Sequence, residues 1–155
     1  MKILFTILLL VGFKGSSFAV SYNYRDSLVS FASTLTGVPY HYGGASEKGF
    51  DCSGFVYYVF KYFNQSVPRS SAAYQNFGLK VSIDAAKPGD VIVFTGTNSA
   101  IRKPGHVGIV YKNENGLLDF IHASSSRKNY GVTITRYNNS GYEKRFLSVI
   151  SIFDE

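Results

Sequence analysis

Asp51-Cys52-Ser53-Gly54-Phe55-Val56 carries the only cysteine of the 155-residue chain, and it stands at the start of an apolar run. Downstream, His106 and His122 each sit in a strand-like segment, Gly105-His106-Val107-Gly108-Ile109-Val110 and Phe120-Ile121-His122-Ala123. One thiol and two imidazoles on separate rigid elements are the parts needed for a nucleophile, its general base and a group that orients the base. A single cysteine can also be a small buried hydrophobe or half of an intermolecular disulfide. Its context favours the reactive thiol. Asp51 can cap a helix, which puts Cys52 in the first turn, where free backbone N–H groups and the helix dipole favour a negative sulfur. Ser53 and Gly54 are small and leave room for a substrate. Cys52 precedes Phe55 and Val56 by about one turn, so it could also tuck partly inward.

The histidines constrain each other through the hairpin between them. If Asn113-Glu114-Asn115 is a three-residue loop, Lys112 pairs with Gly116, and the same register sets His106 directly opposite His122. Their Cβ atoms would then lie about 4.5–5.5 Å apart, on the sheet face that meets the start of the Cys52 helix. A two- or four-residue loop would break the parity and send them to opposite faces. Zinc is the competing use of these residue types. None of the close ligand spacings of structural zinc sites is present, so neither a metal nor another cofactor is expected.

The elements that must position these groups are legible in outline. Leu28, Phe31, Ala32 and Leu35 have helical spacing within Tyr24 to Leu35, and Gly37-Val38-Pro39 ends that helix. Tyr40 to Phe50 is a glycine-rich loop. Phe55, Val56, Val59, Phe60 and Phe63 form the apolar face of a helix from about Cys52 to Asn64. A short helix is expected over Ser71 to Phe77. Strands follow at Val91 to Phe94, His106 to Tyr111, Leu117 to Ala123, Val132 to Thr135 and Phe146 to Phe153. Helices first and an antiparallel meander afterwards give an α+β arrangement, with the N-terminal helices packed on one face of the sheet.

Lys2, the apolar stretch Ile3 to Phe13 and the small residues of Ser17-Phe18-Ala19 read as a signal peptide over residues 1–19. The rest, residues 20–155, is expected to be one domain, secreted or periplasmic. No cysteine lies just past the cleavage site to accept a lipid, and no other segment approaches a membrane span. The whole chain has 16 basic and 10 acidic residues. Removing Lys2 and Lys14 with the leader leaves 14 against 10, a net of +4. The charges, Arg25 and Lys61 among them, are dispersed and read as solvated surface. There is no basic helix or aromatic–basic repeat that would point to nucleic acid. A monomer is expected.

Five segments, taken in order, resemble the NlpC/p60 cell-wall cysteine peptidases. They are Asp51-Cys52-Ser53-Gly54-Phe55-Val56, Pro68-Arg69-Ser70-Ser71, Lys87-Pro88-Gly89-Asp90-Val91-Ile92-Val93-Phe94, His106-Val107-Gly108-Ile109 and Phe120-Ile121-His122-Ala123-Ser124. The likeness covers about residues 24 to 153. It implies a papain-like α+β core and cleavage of peptidoglycan stem peptides, usually between D-γ-glutamate and a diamino acid. By the same resemblance Cys52 is the nucleophile, His106 the base and His122 the orienting member. Tyr40 matches the tyrosine beside the site, while Asp51, Ser53 and Ser71 match positions that contact the stem peptide. Tyr42 stands where many relatives carry Trp, and Tyr74 where Gln is usual.

The mechanism implied is acyl transfer by a Cys52 thiolate paired with protonated His106. Such a thiol should alkylate quickly near neutral pH, unlike a buried structural one. Two other readings are an amidase or transferase acting on another amide or on a lipid ester, and an inactive wall-binding module.

Overall fold

The computed structural model describes residues 17–153. The leader expected over residues 1–19 lies outside that range except for its last three residues. Those three already belong to helix α1, Ser17–Thr34, which therefore starts earlier than the Tyr24 expected from periodicity. No helix among the described residues is long and apolar enough to cross a membrane.

The glycine-rich loop after α1 holds a miniature antiparallel pair that the sequence did not announce, β1 (Ala45–Ser46) and β2 (Gly49–Phe50). Helix α2, Cys52–Tyr62, follows at once. The short helix expected near Ser71 is a 3-10 turn, Ser71–Asn76. An exposed edge strand, β3 (Leu79–Val81), leads to the main meander. Its strands are β4 (Val91–Thr95), β5 (Pro104–Glu114), β6 (Leu117–Ser124) and β7 (Gly131–Arg136). After a second 3-10 turn, Glu143–Arg145, the chain returns as β8, Phe146–Ser151. The six strands run in the order β3-β8-β4-β5-β6-β7, all antiparallel. This is the α+β architecture expected.

Both faces of the sheet are covered, and the alternation along β4 shows how. Val91 and Val93 join Val107, Ile109, Ile121 and the apolar residues of α1 and α2 in one cluster. Ile92 and Phe94 join Val110, Leu118, Phe120 and Val149 in a second, on the side away from the helices. A strand buried on both sides reads as a continuous apolar run, and Val91-Ile92-Val93-Phe94 is one, bounded by the Pro88-Gly89 turn. Arg25 corrects a surface assignment. It is 7% exposed and donates to Asp90 Oδ1 at 2.7 Å and to the Pro88 carbonyl at 3.0 Å, with the Phe153 ring 4.3 Å from its guanidinium carbon. The pair ties α1 to the turn before β4. Burial is tolerable because the charge is matched and its N–H groups are bonded.

The β5–β6 hairpin corrects the loop count. Glu114 pairs with Leu117 across a two-residue turn, Asn115-Gly116, with φ of 52° and 76°. Positive φ at both positions is the I′ geometry that suits the twist of a hairpin, and Asn-Gly favours it. A two-residue turn alone would put the histidines on opposite faces. The register then slips between Val110 and Lys112, where Tyr111 bulges. One extra residue on β5 restores the parity. Beyond the bulge Ile109 pairs with Ile121. His106 and His122 therefore share a face, two residues out of direct opposition.

Candidate active site

Asp51 has extended dihedrals and accepts the Gly54 N–H at 2.6 Å, so it caps α2 and places Cys52 as the first helical residue. Gly54 is required here. A Cβ on it would lie 1.9 Å from the Gly44 carbonyl oxygen, which instead accepts the Asp51 N–H at 3.0 Å. The loop of residues 40–50 is thereby folded against the start of α2.

Cys52 is a free, partly buried thiol. Burial pushes its pKa up, and backbone hydrogen bonds from Val107, Ser53 and Cys52 itself pull the other way. The Val107 contact locates the sulfur. The β5–β6 pairing ends at Ile109 and Ile121, although β5 continues back to Pro104 against β4 and β6 continues on to Ser124 against β7. The strands part there, and the Val107 N–H, left without a partner on β6, faces the sulfur at the helix start and favours its negative form.

The two histidines lie on the face away from the helices, whereas the sequence placed them on the face that meets the start of the Cys52 helix. His106 is paired with Phe94 in the register, and Phe94, Phe120 and Tyr142 pack around the two rings. The opening between β5 and β6 is what lets a thiol from one side of the sheet come to the residue next to His106. Gly108 lies between His106 and Val110 on this face. A Cβ there would stand 2.9 Å from Phe120 Cδ2 and 3.1 Å from His122 Cβ, so its absence lets His122 lie against β5.

His106 Nε2 and His122 Nδ1 are 2.8 Å apart, and His122 Nε2 is 3.0 Å from Thr135 Oγ1. This chain is satisfied with both rings neutral if His106 Nε2–H donates to His122 and His122 Nε2–H donates to Thr135. Nδ1 of His106 is then a bare acceptor. Burial lowers the His106 pKa well below its ordinary value, helped by His122 and Arg145. Burial, with Arg145, brings that of His122 down to about 3. These directions correct the resting state expected from the sequence. Desolvation disfavours both the thiolate and the imidazolium, so the site at rest favours a neutral thiol and neutral imidazole.

The remaining expected residues divide. Tyr40 is close enough to Cys52 and Asp51 for their charge to raise its phenol pKa after burial does, and its carbonyl accepts the Tyr130 hydroxyl at 2.6 Å. Asp51 and Ser53 are already engaged. Arg69 grips both Asp51 oxygens, at 2.9 and 3.0 Å, and reaches Ser53 Oγ at 3.1 Å and the Gly43 carbonyl at 2.8 Å. Ser53 also donates to Asp51 Oδ1 at 3.3 Å. Ser71 opens the first 3-10 turn two residues after Arg69. Arg69, Thr135, Tyr142 and Arg145 were not singled out in the sequence. Arg69 was visible only as part of Pro68-Arg69-Ser70-Ser71, and nothing marked its partner.

Arg69→Ala should lower stability by about 1 kcal/mol, since Arg69 is partly solvated and its pair is screened. It should slow turnover more than that loss implies, because Asp51 would become an uncompensated charge beside the sulfur. Urea midpoints and initial rates, with Arg69→Lys alongside, check this. Lys restores the charge but not the two-pronged grip, so it should recover stability in part.

Residues 37–151 match the NlpC/P60 family. The chain is 42% identical to the probable peptidoglycan endopeptidase LytE of Bacillus subtilis over 79% of its own length and 33% of LytE's. It is 37% identical to the murein DD-endopeptidase/LD-carboxypeptidase MepS of Escherichia coli over 71% of its length and 53% of that protein's. It thus spans a third to about half of these relatives. An NlpC/P60 family protein of Bacillus cereus superposes with a TM-score of 0.70 at 27% identity, over 83% of this chain and 40% of the other. The chain belongs to the NlpC/P60 family.

Proposed function

We propose that this chain is an exported cysteine peptidase that hydrolyses peptidoglycan stem peptides, at the bond between D-γ-glutamate and the diamino acid. Cys52 is the nucleophile, His106 the base and His122 the group that orients it. The observation that carries this reading is the meeting of a helix-start thiol with the backbone of Val107, next to a base whose second nitrogen is held by His122.

His106 Nδ1 takes the thiol proton as the sulfur attacks the carbonyl carbon, so the ion pair exists only during attack. The C–S bond forms and the carbonyl electron pair moves to oxygen, where the Cys52 backbone N–H stabilises it. Collapse breaks the C–N bond and His106 returns its proton to the leaving amine. Water, deprotonated by His106, then attacks the thioester. The C–S bond breaks, releasing a carboxylate and regenerating the thiol. His122 accepts the His106 Nε2–H throughout, which fixes the ring and its tautomer.

A free N-terminal L-alanine recognised through Asp51 would share that carboxylate with Arg69. MepS is named for DD-endopeptidase and LD-carboxypeptidase activities, so related chains are named for different bonds. The test is digestion of L-Ala-γ-D-Glu-diaminopimelate peptides, free or attached to muramic acid, with products read by mass spectrometry. The expected product of the free peptide is L-Ala-D-Glu. Cleavage confined to another bond would overturn the assignment. Equal or faster turnover of the sugar-attached form would remove the amine preference.

A further inference from the structure

We propose that Tyr142 and Arg145 are positioning residues for the imidazole pair: the Tyr142 ring walls in His106 and His122, and Arg145 pins that ring to the end of β4 with its positive charge behind the two histidines. The proposal rests on the reading of His106 as the base. Tyr142 stands just before the second 3-10 turn, and its ring centroid is 5.8 Å from that of His106 and 5.4 Å from that of His122. Phe94 and Phe120, each 4.9 Å away, close the same pocket. The Arg145 guanidinium carbon lies 4.8 Å from the Tyr142 ring centre. Arg145 also donates to the Thr95 carbonyl at 2.9 Å and the Gly96 carbonyl at 3.0 Å. Those carbonyls directly follow Phe94, the residue opposite His106 on β4. The charge is thus held at a fixed place by backbone groups, not swinging in solvent.

The Tyr142 hydroxyl is flanked by Arg145 and Ser124 and lies close enough to Cys52 to feel its charge. Among the described residues, the titratable or charged groups that act on the two rings or on Tyr142 are Cys52 from α2, Ser124-flanked Tyr142 itself just before the 3-10 turn, and Arg145 within it. β4 contributes Phe94 and β7 contributes Thr135. Arg145 is the only permanent cation in that set, and it disfavours protonation of either ring. A base kept unprotonated stays ready to accept the thiol proton below the ordinary imidazole range.

The test compares Arg145→Gln with Arg145→Lys in the full chain. In a Cys52→Ala background, NMR titration of the His106 and His122 rings should move up by about one pH unit in Arg145→Gln and stay near the parent value in Arg145→Lys. In the active enzyme the acid limb of kcat/KM should move with it. Tyr142→Leu should lower kcat about tenfold with little change in KM, because it loosens the base and leaves substrate contacts alone. It carries the test if Arg145→Gln does not fold. Unshifted rings in Arg145→Gln, or a Tyr142→Leu effect confined to KM, would overturn the proposal. The NMR arm needs no turnover, so it stays decisive even if the chain cleaves no stem peptide.

Discussion

Cys52→Ala is expected to reduce stem-peptide hydrolysis by about 10³-fold or more, the order seen when a nucleophile is removed and only binding remains. The chain should stay folded. The thiol sits at the edge of the core, against the Val107 backbone, and does not fill a cavity within it, so its loss should move the melting point by only about 2 °C. Unfolding of the variant would mean that Cys52 is structural. Near wild-type activity would mean that another group is the nucleophile. Alkylation of the wild-type thiol separates the resting states. A thiolate–imidazolium pair would react fast at neutral pH. The raised thiol pKa instead predicts slow labelling near pH 7 that accelerates as pH rises through and above the ordinary thiol range. Iodoacetamide rates across that range, followed by mass spectrometry, read this out directly.

What was legible in the sequence, and what was not, divides along chain distance. The cap, the nucleophile and the apolar stripe of α2 lie within a dozen residues, and their spacing alone specifies them. The four-residue apolar run of β4 is legible for the same reason. The histidine register failed in an instructive way. Asn115-Gly116 is a two-residue turn signal, and reading a three-residue loop gave the right parity only because Tyr111 bulges and adds the missing residue. A bulge has no composition of its own, so no count of residues exposes it. Arg25 and Arg69 carry the general lesson. Each looks like a surface charge until its carboxylate arrives, Asp90 from 65 residues away and Asp51 from 18. Tyr142 meets His122 edge-on from a loop whose sequence gives no sign that it folds back across the sheet.

The second large effect concerns the base and its dependence on pH. His106→Ala should cut kcat by roughly 10²–10⁴-fold, the range for loss of a positioned proton acceptor. In the wild type, His106 titrates well below 6.5, so kcat/KM should not fall as pH is lowered through 6.5. A limb centred near 6.5 would show that the base is solvated and would overturn the buried, neutral site. Stability behaves differently. In the unfolded chain both histidines take up protons near 6.5, whereas in the folded chain His122 does so only near 3 and His106 well below its ordinary value. The folded state therefore binds fewer protons across that window, and its stability is fully present above 6.5 and declines as pH falls below it. Melting temperature should drop steadily as pH falls below 6.5, while the rate per folded molecule holds as pH passes through that value. His122→Gln removes one of the two buried imidazoles and should flatten that decline, with activity partly kept because the amide oxygen can still accept the His106 N–H. A melting curve with the same slope in wild type and His122→Gln would show that the acid sensitivity does not lie in His122.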